Sequence, residues 1–292
     1  MSAIWHWLFD PLKYEFMRQA LEMGILLGIL CAIVGSYLIV QKMGMMTCVI
    51  SHAILPGISI SVFLGISLSI GAFIFGILSA LFVVGIQSRS RIKTDTAMTL
   101  TLSSFLGFGV LLISVLKTDR IDLTHILFGD ILGVRSENIW MTLALVAIVL
   151  ILTKLFYKEL QFYTFDPLGA KACGLPVSMM YCGLVCVTTL TIIASMQAVG
   201  VLLVMALLVG PPTIAYLLVK ELHEMMGLGT LIGSFSAILG IYLSYPLQLP
   251  SGPTIVMVIF IFFIIALLLS PTQGILTEVR VKRKNLSRSI EN

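Results

Sequence analysis

The chain has 292 residues, of which 59 % are hydrophobic and only 11 % charged, with a formal net charge of +4. That is too little charge to coat a water-exposed surface, so a soluble globular domain is excluded, together with disorder, collagen or coiled-coil rods and a secreted disulfide scaffold. What remains is an all-α, polytopic helical membrane protein, in which a modest Lys/Arg excess is a topology signal and not a nucleic-acid surface.

Residues 1–19 carry Trp5, Trp7, Asp10, Lys13, Glu15 and Arg18 without the basic start and short apolar core of a cleavable signal. An interfacial N-terminal segment is expected there, held by its aromatic side chains in contact with membrane lipid. Uncharged runs then count the spans, since one crossing needs roughly 20 apolar residues. Residues 23–40, 96–116 and 138–153 are one crossing each, whereas 43–88, 172–219 and 225–277 are 46, 48 and 53 residues long and read as two each. The expectation is nine spans, or eight if a segment is re-entrant, in a single domain covering 1–292. Placing the basic tail, 278–292, in the cytoplasm puts thirteen of the eighteen Lys and Arg inside and the N-terminus outside.

Within 43–88 the run Thr47-Cys48-Val49-Ile50-Ser51-His52-Ala53-Ile54-Leu55-Pro56-Gly57 places a histidine and a helix break at membrane depth. Ionisable groups there are costly and commonly face a cavity or pathway. Cys48 and His52 are four apart, so a helix stacks them on one face, a geometry suited to holding one cation. Pro56 frees the carbonyl of His52. The spacing equally fits a histidine hydrogen-bonded to a neighbouring helix beside a space-filling Cys48 and a Pro56-Gly57 kink.

Further along, Asp95 reads as the N-cap of the next span. The outer connection holds Asp122, His125 and Asp130, which form either a candidate outer gate able to meet a cation or a solvated interfacial helix. Phe165-Asp166-Pro167 through Gly174 and Pro176 reads as a short capped cytoplasmic helix, 164–176, with Asp166 capping, Pro167 at the first helical position and Gly174 ending it. It is a docking element or an ordinary connector. Cys182 and Cys186 are expected in the packed core, and the five cysteines form no disulfide framework. Pro211 and Pro212 interrupt a later span, as a pathway lining or as a packing device. Gly65, Gly71, Gly76, Gly229 and Gly233 fall within runs read as spans, and Gly229-x-x-x-Gly233 suits close helix approach, within one protomer or at a protomer–protomer interface. No G-x-x-x-x-G-K-[ST] loop occurs, so ATP would have to be bound by a partner subunit, and H-E-x-x-H and G-x-S-x-G are also missing.

In order along the chain, Ser51-His52-Ala53-Ile54-Leu55-Pro56-Gly57, Asp95-Thr96-Ala97, His125 to Leu132, Phe165-Asp166-Pro167 and the stretch from Val199-Gly200 to Pro212 resemble the integral permease of the metal-ion ABC importers. The resemblance implies a bacterial plasma-membrane protein with no catalytic chemistry or resident cofactor of its own. Its substrate would be a divalent transition metal, namely manganese, zinc or iron, with manganese favoured. It implies an ABC ATPase subunit, an extracytoplasmic metal-binding protein and a second permease copy, in a homodimer or a heterodimer. The helix following Phe165 and Asp166 would seat in the ATPase, and Ser51, Pro56, Gly57, Pro211 and Pro212 would belong to the translocation pathway around His52. Family members pair that histidine with an aspartate four residues earlier, where this chain has Cys48. An ion-coupled secondary metal transporter is the alternative in another class.

Overall fold

The structure, a computed structural model, describes residues 13–116, 129 and 131–270. Among these residues are eleven α-helices: α1 (Glu15–Val40), α2 (Gly44–Leu64), α3 (Leu68–Arg89), α4 (Thr94–Val115), α5 (Ser136–Leu155), α6 (Tyr157–Phe165), α7 (Pro167–Ala172), α8 (Val177–Val199), α9 (Val201–Leu218), α10 (Leu222–Leu247) and α11 (Ser251–Leu269). All but α6 and α7 are long and apolar enough to cross a membrane, which makes nine candidate spans among the described residues. Residues 15–19, expected at the interface, are already the start of α1. At roughly 1.5 Å per residue this 26-residue helix is about 39 Å long, so its ends outreach a hydrocarbon core of about 30 Å.

The long uncharged runs split where the backbone can turn in very few residues. At Lys42, Gly65, Gly174 and Gln248 the chain takes a positive φ of 59°, 68°, 83° and 52°. At each of them the same closure forms: the amide of that residue donates to the carbonyl three back and the next amide to the carbonyl five back, as in Met43 N–H to Leu38 O at 2.7 Å and Leu175 N–H to Ala170 O at 3.0 Å. Gly65, read from sequence as part of a span, is therefore a helix end. Asp95, expected as an N-cap, lies instead in the first turn of α4, where the capping position is held by Lys93 and a carboxylate still complements the helix dipole.

Ties at both ends of the bundle align the helices in alternation. At one end Gln19 Nε2 donates to Ser136 Oγ at 3.1 Å, joining α1 to α5, and the Tyr14 and Phe16 rings lie 6.5 and 6.4 Å from Tyr245 on α10. At the other end, the one expected inside from the charges, Ser270 Oγ donates to Leu217 O at 2.6 Å, just beyond α11, and Gln41 Nε2 approaches Thr164 Oγ1 at 3.4 Å, joining α1 to α6.

Helix α1 is the centre of the bundle, with Met17, Met23, Leu27, Leu30 and Leu38 all essentially inaccessible. It meets α10 where a methyl at Gly28 would lie 2.5 Å from the Ser234 nitrogen, and Gly233 faces Gly28 in return. Gly229 sits against Ala32 of α1, so the Gly229-x-x-x-Gly233 pair packs within this protomer as expected. Buried hydroxyls bond one turn back along their own helices, as in Ser36 Oγ to Ala32 O at 2.7 Å and Thr188 Oγ1 to Leu184 O at 2.7 Å, which keeps them satisfied away from water. Cys182 is exposed and Cys186 only half-buried, so this pair, expected in the core, lies on an outer face of α8.

Candidate functional site

Helix α2 is enclosed on most of its sides. At Gly57 it crosses α3 so closely that a methyl would overlap the Gly71 carbonyl, and at Gly109 α4 comes so near that a methyl would be 2.9 Å from both Leu55 Cβ and Pro56 Cδ. Gly76 of α3 sits between Ile50 of α2 and Thr189 of α8, with a methyl there 3.4 Å from Ile50 Cγ2. Pro56 lies inside α2 without ending it, because α4 and α3 hold the helix on both sides of the lost hydrogen bond.

One strip of α2 stays uncovered. Met45 is 43 % exposed, and Cys48 and His52, three and seven residues on, are half-buried. Spacings of three and four put all three on one helical face, in the inner half of α2 under the topology above. Cys48 and His52 are thus brought together, and Met45 completes a strip that the uniformly apolar flanking sequence concealed. The next ridge round the helix carries Thr47 and Ser51, 0 % and 1 % exposed, each with a hydroxyl that has no hydrogen-bond partner among the described residues. Buried hydroxyls left open in this way are costly, and they lie beside the two metal-ligating types.

The other residues expected along a pathway are not on the open strip itself. Ser51, Pro56 and Gly57 are buried inside the protomer, where the last two set the course of α2. Pro211 and Pro212 are buried in α9 against α1 and α10. Pro212 removes the donor to the Leu208 carbonyl, and that oxygen points at Gly35 of α1, which has no side chain to obstruct it. These prolines therefore act in packing α9 on α1. Asp122, His125 and Asp130 lie outside the described residues. Gly129, beside them, has a φ of +59° and seats its backbone against Val199 and Gly200, the single-residue joint between α8 and α9.

At the end of the bundle expected inside, the short helix read from sequence is α7. The Asp166 carboxylate accepts from Gly169 N–H at 2.9 Å, Pro167 begins the helix and Gly174 closes it. Phe165 and Leu168 project outward, 56 % and 82 % exposed. The Tyr157 phenol at the start of α6 is held above its ordinary range by burial first and by the Glu221 carboxylate second. Among the described residues no group of three or more His, Cys, Asp or Glu is close enough to hold a metal ion, so this protomer offers Cys48 and His52 as a pair.

Comparison with known proteins gives a consistent picture. Residues 13–270 match the ABC-3 family, described as the ABC 3 transport family. The chain is 43 % identical over 265 residues to the manganese transport system membrane protein MntC of Listeria monocytogenes, covering 91 % of this chain and 94 % of that protein. It is 38 % identical over 268 residues to the chelated iron transport system membrane protein YfeD of Yersinia pestis, covering 92 % and 90 %. Among solved structures, PsaBC from Streptococcus pneumoniae in complex with Fab aligns with a TM-score of 0.82 at 38 % identity, covering 92 % of this chain and 97 % of that one.

Proposed function

The chain belongs to the ABC 3 transport family, and on that premise we propose that it is the membrane permease of an ATP-driven importer that carries a divalent transition metal across the bacterial plasma membrane. Relatives named for manganese and for chelated iron support those two metals as substrates. The observation that carries the site assignment is the open strip of α2, where Cys48 and His52 are the metal-ligating side chains on a helix that its own protomer encloses on most sides up to its exposed last turn.

One protomer supplies two ligands, and first-row metals take four or more. A second copy placed across a two-fold axis facing this strip doubles the set to two thiols and two imidazoles, with the metal passing between the paired α2 helices. A thiolate is a softer ligand than a carboxylate and shifts preference from manganese towards zinc or iron. A thiol that stays protonated leaves the strip neutral and the metal weakly held, which suits passage better than storage. A heterodimer whose other permease supplies carboxylates fits the same strip.

ATP would be bound by a separate ABC ATPase, with the apolar knobs Phe165 and Leu168 of the α6–α7 corner seated in it. An extracytoplasmic metal-binding protein would deliver the ion on the opposite face. The test is metal uptake by vesicles containing the whole transporter. With His52→Ala, at unchanged amounts of assembled complex, uptake of manganese and iron should fall at least tenfold; unchanged uptake of both refutes the assignment of His52 to the pathway.

A further inference from the structure

A cleft of about 370 Å³ opens between α1, α5, α6 and α8, and no residue of the Cys48 and His52 strip lines it. Its lining is almost wholly apolar, and along α8 it runs from Leu175 just before the helix to Val187 within it. Twelve helical steps are roughly 18 Å, close to the roughly 15 Å of hydrocarbon in one leaflet of a bilayer. The end near Leu175 is the cytoplasmic one, where α5 passes into α6. There the lining carries a single charged side chain, Glu159, while Lys154 and Lys158 are exposed and stand outside it. The flank is open to the bilayer: Met179 is 74 % exposed, and a side chain at Gly183 would meet nothing within 4 Å.

We propose that this cleft binds one aminophospholipid of the cytoplasmic leaflet, with an acyl chain lying along α8 and its head-group ammonium on the Glu159 carboxylate. An apolar groove that opens sideways into a bilayer is filled by something apolar, since water gains no partners in it. A partner helix is too bulky: a cylinder of about 10 Å diameter over the same length occupies on the order of 1,400 Å³, whereas an acyl chain is a slender occupant that replaces bulk lipid in the groove. Head-group choice follows from charge. A phosphatidylglycerol would bring only anionic and hydroxyl groups to Glu159, whereas phosphatidylethanolamine brings an ammonium that can form a charge-assisted hydrogen bond with it. The inference rests on the chain crossing a membrane with the Leu175 end of the cleft at the cytoplasmic side, and it is independent of which ion the chain carries.

The test uses the full-length permease in mild detergent, offered equal amounts of phosphatidylethanolamine and phosphatidylglycerol, with retained lipid counted by native mass spectrometry. One phosphatidylethanolamine per chain should be retained with at least fivefold preference. Glu159→Gln should abolish the preference, and Gly183→Phe, whose ring occupies the cleft and not the core, should remove retention of both lipids. Protection of the buried Cys31 thiol from alkylation reports that each variant is folded. Equal retention of the two lipids by the unaltered chain, a preference that survives Glu159→Gln, or retention undiminished in folded Gly183→Phe each overturns the proposal. Metal uptake is a separate readout, so loss of this idea leaves the transport assignment intact.

Discussion

Replacing Gly35 by Ala tests how α1 is locked into the bundle. The new methyl would overlap the Leu208 carbonyl oxygen and lie 2.9 Å from both the Leu208 carbonyl carbon and Pro212 Cγ. Two of those three atoms are backbone, and the third belongs to a rigid ring, so none can turn aside as a flexible side chain would. Overpacking of this kind costs roughly 1–3 kcal/mol, and the immobile obstacles place Gly35→Ala in the upper half of that range. Gly107 on α4 is the control, since a methyl there meets nothing within 4 Å. Gly107→Ala should be neutral or stabilising by up to about 1 kcal/mol through helix propensity. Both variants can be followed by unfolding in increasing SDS, with alkylation of Cys31 mapped by peptide mass, because Cys31 is fully buried one turn from Gly35. A loss of about 2 kcal/mol multiplies the unfolded fraction roughly thirtyfold and moves the midpoint to lower SDS for Gly35→Ala alone. Coincident midpoints for Gly35→Ala and the unaltered protein would refute the close contact of α9 on α1.

Three further outcomes follow from the same geometry. Cys48→Asp, which exchanges a soft ligand for a hard one, should raise manganese uptake relative to zinc in a competition assay, and an unchanged ratio would show that Cys48 does not tune selectivity. Asp166→Ala removes the N-cap bond to Gly169 and should cost about 1 kcal/mol locally, seen as roughly fivefold faster amide exchange over residues 167–172 with the spans unaffected. Lys42→Gly relieves a left-handed backbone that costs about 1–2 kcal/mol for a residue with a Cβ. After glycine's greater loss of chain entropy, a net gain of up to about 1 kcal/mol is expected in the SDS midpoint.

The span count was legible in the sequence because charge cannot be hidden in a bilayer: the uncharged runs end where lysine, arginine, glutamate and aspartate begin, and their splits fall at Gly65, Gly200 and the turn at Gln248. The α7 cap was equally plain, since Asp166, Pro167 and Gly174 each act through local backbone geometry. Lateral arrangement was hidden. Helices such as α11 are apolar all round, so no stripe distinguishes a side facing lipid from one facing protein, and the pathway role expected of Pro211 and Pro212 had no periodic signal against which to be judged. Cys182 and Cys186 went to an outer face for the same reason: in lipid a thiol is no worse placed outside than inside. Cys48 and His52 stood out because they were among the few side chains able to bind a cation in a long apolar run, and the structure adds that their side of α2 is the side left uncovered.

The central position of α1 has a consequence for how the protein is made. Its contact with α10 at Gly28 and Gly233 joins residues about 200 apart in the chain, which at synthesis rates of roughly 5–20 residues per second means a delay of about 10–40 s before the partner emerges. The neighbours joined by three-residue turns, α1 with α2 and α2 with α3, are made within seconds of one another. Helix α1 enters the membrane well before α10 and is therefore among the last to be fastened. Its apolar length lets it wait alone in lipid, while its open glycine face, Gly28 and Gly35, stays free to receive α10 and α9 once they are inserted.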